Sequence, residues 1–135
     1  MNRKYLLDTN ICIYIIKQKP QLVINRFNEM EKSQITISSI TVAELEYGVK
    51  KSSLPDKNQK ALTDFLQPFA ILTFDRAAAV QYGVIRSDLE RKGTSIGSLD
   101  NLIAAHAMSL NLTLVTNNEK EFNRVEGLLL ENWTN

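Results

Sequence analysis

The chain has 135 residues, a length that suits one domain with a substantial hydrophobic core. Hydrophobic residues make up 44% of the sequence and charged residues 23%, a composition that excludes a disordered chain. No run approaches the roughly 18 apolar residues of a membrane span. The net charge of +1 neither requires nor excludes a nucleic-acid partner. Cys12 is the only cysteine, so we expect no intramolecular disulfide and a reducing compartment, the cytoplasm.

The first half of the chain alternates short apolar runs with amphipathic segments. Residues 4–8 predict a strand buried on both faces of a sheet. Residues 11–16 are rich in β-branched types, but the polar cap residues before them favour a helix over a hairpin, whose turn would usually contain glycine. The pattern then predicts a helix from Pro20 to about Met30 with Leu22, Val23, Ile24 and Phe27 facing inward. It further predicts a strand over 35–38, a helix from Thr41 to about Lys51, a helix over 56–69 and a strand over 70–74.

The second half continues the alternation. Asp75 is predicted to cap a helix that ends near Arg91, and residues 92–98 form a loop with two glycines. A strongly apolar helix is predicted over 99–110, followed by a strand over 112–116, a polar loop or short helical turn over 117–122 and a final strand over 128–133. Strands that alternate with helices predict an α/β fold with a small parallel sheet of about five strands, flanked by helices on both sides.

Four acidic residues occupy positions where a parallel sheet would bring them together. Asp8 follows the first strand, and Glu44 lies in the first turn of the helix after the second strand. Asp100 lies in the first turn of the helix after the 92–98 loop, and Glu121 follows the fourth strand. Because the carboxyl ends of parallel strands share one edge of a sheet, these side chains could form one site.

Each acid also has a purely structural interpretation. Asp8 could cap a helix, Thr41 and Glu44 have the spacing of a capping box, and Asp100 could complement a helix dipole. Asp75 also follows a strand and begins a helix, and we do not assign it to the site. If the acids converge, their mutual repulsion favours a bound cation, and oxygen ligands favour Mg²⁺ or Mn²⁺ over zinc. Such a cation can activate water against a phosphodiester.

Other candidate residues give weaker signals. His106 lies among alanines, a setting more typical of a packed, hydrogen-bonded histidine than of a catalyst, and Cys12 is typical of a small buried hydrophobe. Basic residues that flank the predicted site in sequence could hold RNA phosphates or could form a solvated charged face. They are Lys17, Lys19, Arg86, Arg91, Lys92, Lys120 and Arg124.

Four stretches, in this order and spacing, give the chain a resemblance to the PIN-domain ribonucleases, and more narrowly to the VapC toxins of type II toxin–antitoxin pairs. The resemblance covers nearly the whole chain and implies a single PIN domain over residues 1–135. The stretches are Tyr5-Leu6-Leu7-Asp8-Thr9-Asn10, Ser39 to Leu45 followed by Tyr47-Gly48, Ile96 to Ala107, and Leu114 to Asn118 with Glu121-Phe122.

The resemblance implies a role for each matched acid. Asp8 and Asp100 would be the principal Mg²⁺ ligands, with Mn²⁺ able to substitute. Glu44 would complete the metal cluster, and Glu121 matches the last catalytic acid of the family. Groups that would orient these carboxylates are Thr9, Asn10 and Thr116, together with Asn117 and Asn118, which stand where many PIN domains carry an aspartate.

The resemblance also implies the reaction and the partners. The expected activity is metal-dependent endonucleolytic cleavage of structured RNA, most often tRNA, with the anticodon region of initiator tRNA as the leading target. We expect RNA contacts from Lys17, Arg86, Arg91 and Lys92. The expected partners are a second copy of the chain and a VapB-type antitoxin, which alone would contact operator DNA, and no membrane is expected.

Two other functions stay open on the sequence. One is a PIN-like module that binds RNA or protein without catalysis, although all four acids are present. The other is a receiver-like signalling domain with Mg²⁺, in which Asp75 would accept a phosphoryl group. Asp8 lacks the adjacent acid that a receiver site needs, and no lysine fits at the end of the fourth strand.

Overall fold

The computed structural model describes residues 2–135, which form five strands and seven helices. The strands are β1 (Tyr5–Leu7), β2 (Ile35–Ser38), β3 (Ala70–Leu72), β4 (Thr113–Val115) and β5 (Leu130–Glu131). The helices are α1 (Thr9–Lys17), α2 (Gln21–Glu29), α3 (Ser39–Lys50), α4 (Pro55–Leu66), α5 (Arg76–Arg91), α6 (Ser98–Ser109) and α7 (Glu119–Phe122). The predicted α/β class and the five strands are confirmed.

All neighbouring strands are parallel, in the order β3-β2-β1-β4-β5. The chain winds outward from β1 to β3 and then crosses to the other side of β1 to form β4 and β5. The strand order therefore reverses between β1 and β4. In open α/β sheets, the carboxyl ends of the strands at such a reversal border a crevice where sites form.

Two apolar cores cover the two faces of the sheet. Tyr5 and Leu7 of β1 pack with residues of α1–α4 on one face, whereas Leu6 packs with residues of α5–α7 on the other. The side chains of β1 are thus buried on both faces, as its apolar sequence predicted. No helix within residues 2–135 combines the length and apolarity that a membrane crossing requires.

The ambiguous segment after β1 is a helix, as predicted, and it begins under the cap of Asp8, whose Oδ1 accepts the backbone N–H of Thr9 at 2.8 Å. Asp75 caps α5 as predicted, through a 3.0 Å bond from the Ala78 N–H. Helix α3 begins two residues before the predicted start, because the Ser38 side chain caps it. The capping-box interpretation of Thr41 and Glu44 is therefore wrong.

The remaining errors concern element ends and one buried face. Strand β3 ends at Leu72 and not at residue 74, and β5 contains only Leu130 and Glu131. The helix predicted over 56–69 ends at Leu66. Leu22 was predicted to face inward, but it is 52% exposed, because α2 contributes mainly Val23 and Ile24 to the core.

Candidate active site

The carboxyl edge of the sheet carries a cleft of about 380 Å³, which we call the acidic cleft. It opens where β1, β2 and β4 end and the helices that follow or face them begin. Three of the four predicted acids, Asp8, Glu44 and Asp100, line it directly. The complete lining is Asp8, Thr9, Asn10, Glu44, Gly97, Ser98, Leu99, Asp100 and Asn118. The convergence expected from the strand ends is therefore what the fold produces.

Asp8 is the most buried acid of the cleft, with 7% of its surface exposed. Its Oδ1 accepts the Thr9 N–H, and its Oδ2 accepts the hydroxyl of Thr116 at 2.7 Å. Burial raises the pKa of Asp8, while these hydrogen bonds oppose that rise and the negative charge of Glu44 adds to it. The fold thus holds this carboxylate in one orientation in a setting that favours a positive partner.

Glu44 projects from the middle of α3 and not from its first turn as predicted, because the helix already begins at Ser39, and it meets the start of α1. Its Oε1 accepts the Thr9 hydroxyl at 2.9 Å. Thr9 therefore contacts both carboxylates, giving its backbone N–H to Asp8 and its hydroxyl to Glu44. This double contact fixes the position of one acid relative to the other.

Asp100 and Glu121 form the opposite wall. Burial and the charges of Asp8, Glu121 and Glu44 raise the pKa of Asp100 to about 7. Glu121 has a lowered pKa, because its carboxylate accepts the Gly97 N–H at 2.7 Å and the Asn118 side-chain amide at 3.1 Å. The interaction of the two carboxyl groups raises the pKa of Asp100 and lowers that of Glu121, so Asp100 is the acid of this pair that takes up a proton first as pH falls.

Gly97, directly before α6, lies against both carboxylates of this wall. A β-carbon added at Gly97 would lie 3.6 Å from Asp100 Oδ2 and 3.7 Å from Glu121 Oε1, which are ordinary van der Waals distances. The contribution of this residue is therefore its backbone N–H, which donates to Glu121. The sequence marked the 92–98 loop only by its glycines, and the contact between Gly97 and Glu121 could not be inferred from spacing.

The donor chemistry of the cleft fits a hard divalent cation. Its charged ligands are carboxylates alone, and burial, together with the neighbouring negative charges, raises the pKa of Asp8 and Asp100. Within residues 2–135, no three Asp, Glu, His or Cys side chains are grouped so that together they could hold a metal ion. An open arrangement is typical of Mg²⁺, which is usually held by one or two carboxylates and several waters.

The predicted orienting residues divide into two groups. Thr9 and Thr116 contact the acids directly, and Thr116 also accepts the Asn118 N–H at 3.0 Å. Asn118 contacts Glu121, so it supports an acid instead of replacing one. Asn117 turns away from the acids, donating to the Tyr14 hydroxyl at 2.9 Å and accepting from Asn10 at 3.3 Å. Sequence analysis did not single out Tyr14, although its position one turn after Asn10 on α1 was a usable signal.

The predicted RNA-binding cations lie in different settings. Lys17, at the end of α1, lines a groove that also contains Glu44. The other three predicted cations do not line the acidic cleft, and each is ion-paired. Arg86 and Arg91 of α5 pair with Glu90 and Asp88. Lys92, directly after α5, pairs with Asp88 and Glu126.

His106 is a buried structural residue, as its sequence context indicated. Its Nδ1 is 2.8 Å from the Ser38 hydroxyl, its ring packs edge-on against Phe74, and burial lowers its pKa. Cys12 is fully buried, and the desolvation of its thiol raises its pKa. The receiver-like alternative is wrong, because receiver domains have the order 2-1-3-4-5, which differs from the sheet found here.

Residues 5–128 match the PIN domain family. The chain is 46% identical over 131 residues to a tRNA(fMet)-specific endonuclease VapC of Shigella flexneri, an alignment that covers 97% of this chain and 98% of the relative. It is 48% identical over 130 residues to a ribonuclease VapC2 of Rickettsia felis, covering 96% of this chain and 97% of the relative.

The fold agrees with the sequence match. A DNA-bound VapBC structure from Salmonella typhimurium superposes with a TM-score of 0.91 at 45% identity, covering 97% of this chain and 98% of the matched chain. PIN-domain nucleases depend in general on a bound metal ion, in keeping with the oxygen-lined cleft. The chain belongs to the PIN-domain family and, within it, to the VapC ribonucleases.

Proposed function

We propose that the protein is the toxin of a type II toxin–antitoxin pair, an Mg²⁺-dependent endoribonuclease that cleaves tRNA at the acidic cleft. Mn²⁺ would substitute for Mg²⁺. The observation that carries the proposal is the meeting of Asp8, Glu44 and Asp100 in one cleft at the strand reversal, in a chain of the VapC ribonuclease family. Acids with only structural roles would have no reason to share a solvent-filled crevice.

We assign direct metal-ligand roles to Asp8 and Asp100, and Glu44 would complete the metal site directly or through a bound water. A divalent cation bound there would lower the pKa of a coordinated water and stabilise negative charge on the phosphate. Asp8 is held for this role by Thr9 and Thr116, and Glu44 by Thr9. The pKa of Asp100 is raised to about 7, so a metal cation that binds near neutral pH can readily displace its proton.

We assign Glu121 the role of anchoring the cleft wall and keeping Asp100 in place. Both of its oxygens already accept hydrogen bonds, one from Gly97 and one from Asn118. The first turn of α6 lies beside these groups, and its backbone N–H groups present partial positive charge to a phosphate. The chain therefore places phosphate-binding amides at the start of α6, on the same wall as Asp100 and opposite Asp8 and Glu44.

For the substrate, we propose initiator tRNA, cut in its anticodon region. The support is the identity of 46% to the Shigella flexneri relative and 45% to that of Salmonella typhimurium, both named tRNA(fMet)-specific endonucleases. Unpaired anticodon-loop bases can be splayed into a cleft, whereas bases inside an RNA helix cannot.

The experiment is incubation of the purified chain with initiator tRNA and, in parallel, with elongator methionine tRNA, followed by mapping of the new ends. Cleavage of the initiator alone, dependent on Mg²⁺ or Mn²⁺, is the expected result. Cleavage of the elongator with the initiator spared would refute the substrate, and no cleavage of any RNA by a folded sample would refute the enzyme.

We further propose that a VapB-type antitoxin neutralises the protein in the cytoplasm and that operator DNA is contacted only through that antitoxin. The solved relatives from Salmonella typhimurium and Rickettsia felis are VapBC complexes with bound DNA, which supports this assignment. We also propose a homodimer, supported by Val80 and Val84, which lie one turn apart on α5 and are both exposed. Sedimentation of the antitoxin-free protein tests the dimer.

A further inference from the structure

A second concavity lies beside the acidic cleft, at the end of α1. It has a volume of about 340 Å³ and is lined by Ile13, Tyr14, Lys17, Lys19 and Pro20. We call it the tyrosine pocket. Its walls are mainly apolar and include the half-buried ring of Tyr14, and the exposed Lys17 and Lys19 are among its lining residues. This size lies within the usual range of small-molecule sites, about 300–1,000 Å³.

A chain of polar side chains connects the tyrosine pocket to the acidic cleft. Asn10 lines the acidic cleft, and its Nδ2 donates to Asn117 Oδ1 at 3.3 Å. Asn117 Nδ2 in turn donates to the Tyr14 hydroxyl at 2.9 Å. Because the Tyr14 oxygen accepts this bond, its own O–H remains a donor toward the outside. Asn10, Tyr14 and Lys17 follow one another at helical spacings of four and three, so they share one face of α1.

The charge of the tyrosine pocket suits an anion. Lys17 and Lys19 form no ion pair with any acid in residues 2–135. By contrast, Arg86 and Arg91 on α5 and Lys92 directly after it are all ion-paired. The carboxylates of the acidic cleft repel RNA, so RNA binding needs positive charge nearby. Lys17 and Lys19 provide that charge.

We propose that the tyrosine pocket is a nucleotide-binding subsite, which holds the unpaired nucleotide next to the cleaved phosphodiester. The base would pack against the Tyr14 ring, Asn117 and the Tyr14 hydroxyl would contact its edge, and Lys17 and Lys19 would hold the neighbouring phosphate. Aromatic faces with lysines around them are the usual means of binding single-stranded RNA. The proposal deepens the proposed ribonuclease function and rests on it.

The test measures binding of a short fluorescent single-stranded RNA, with a chelator present so that no cleavage occurs. Tyr14→Leu removes the aromatic ring and should weaken binding about tenfold, since stacking contributes about 1–3 kcal/mol per base. Tyr14→Phe keeps the ring and should stay within about threefold of wild type. Equal affinities for wild type and Tyr14→Leu would overturn the proposal.

The lysines are tested through the salt dependence of the same affinity, in surface variants that leave the core intact. The double variant Lys17→Gln and Lys19→Gln should reduce the slope of log affinity against log salt by about 0.7, the value for one single-strand phosphate contact, because both lysines hold the same phosphate. The matched control, Lys50→Gln with Lys57→Gln, removes two exposed lysines of α3 and α4 that likewise form no ion pair within residues 2–135, and it should leave the slope unchanged. Equal slopes for the two double variants would also overturn the proposal.

Activity separates this proposal from the proposed function. With a short RNA as substrate, Tyr14→Leu should raise KM about tenfold with a smaller change in kcat, whereas cleavage of the same RNA by wild type reports on the proposed function. Wild-type cleavage with unchanged RNA kinetics in Tyr14→Leu would refute the subsite alone. No cleavage by wild type, with RNA binding that still depends on Tyr14, would refute the nuclease and leave the subsite. Loss of affinity for an antitoxin peptide, with RNA binding intact, would make the pocket a protein-docking site instead.

Discussion

Thr116 offers the most direct perturbation of the acidic cleft that leaves every carboxylate in place. Its buried hydroxyl donates to Asp8 Oδ2 at 2.7 Å and accepts the Asn118 N–H at 3.0 Å. Thr116→Val keeps the shape of the side chain and removes both contacts. Thr116→Ser keeps the hydroxyl and loses one methyl group, so it is the matched control.

The expected effects follow from the charge on Asp8. A hydrogen bond to a buried charged group contributes about 1.5–3 kcal/mol. At pH 8 without metal, Thr116→Val should therefore lose about 2 kcal/mol of unfolding free energy, or about 6 °C in Tm for a chain of this size. Loss of a group that orients a metal ligand also lowers metal affinity or activity, by about 10–100-fold.

The assay is urea unfolding with a chelator, repeated from pH 8 down to pH 4, together with cleavage rates at saturating Mg²⁺. The Thr116 hydroxyl stabilises the ionised form of Asp8, whose pKa is raised by burial. The stability difference between the valine and serine variants should therefore shrink as pH falls and Asp8 takes up a proton. Equal stability and equal cleavage rates of the two variants at pH 8 would refute a role for this bond in holding Asp8.

Three further predictions concern the acids and the core behind them. The apparent Mg²⁺ affinity should rise with pH, by up to about tenfold per unit, until the Asp100 pKa of about 7 is passed, because its proton must leave first; titration calorimetry that finds constant affinity from pH 5.5 to 8 would contradict this. Asp100→Asn removes charge repulsion between the acids, so it should raise the Tm of the metal-free protein at pH 8 by about 3 °C, or about 1 kcal/mol after allowance for solvent screening. The variant should also lose the stabilisation by Mg²⁺, and a lower Tm in thermal unfolding would argue against repulsion between the acids. Ser38→Ala should lose about 2 kcal/mol in urea unfolding, because Ser38 caps α3 through the Ile40 N–H and is the partner of His106, and a loss below about 0.5 kcal/mol would show that neither contact matters.

The pattern of strands and helices could be predicted from sequence because local signals agreed with the final fold. Asp8 shows this well: a polar cap after a buried apolar run predicts both the end of β1 and the start of α1. Where the prediction failed, tertiary contacts decided the outcome. Leu22 fits an inward face by periodicity, but α2 contributes mainly Val23 and Ile24 to the core. The start of α3 was misplaced, because the cap comes from Ser38 and not from Thr41.

The candidate site was predictable in its acids and not in its contacts. Parallel strands bring their carboxyl ends to one edge, so Asp8 and the start of α3 were expected there, whereas Asp100 follows no strand and reaches the cleft because α6 begins at the same edge. The bond from Gly97 to Glu121 and the link from Asn117 to Tyr14 join positions 24 and 103 residues apart. No local pattern records such pairs, since they exist only after the sheet and both helical layers have packed.

The central claim is that the acidic cleft is a metal-dependent ribonuclease site, and its most direct test is cleavage of total bacterial RNA by the purified antitoxin-free protein beside an Asp8→Asn variant. The variant keeps the size of the side chain and one of the two oxygens that accept from Thr9 and Thr116, but it loses the negative charge. We expect discrete cuts that require Mg²⁺ or Mn²⁺ and that are absent from the Asp8→Asn sample. Equal cleavage by the two folded proteins, or no cleavage by wild type with either metal, would contradict the claim.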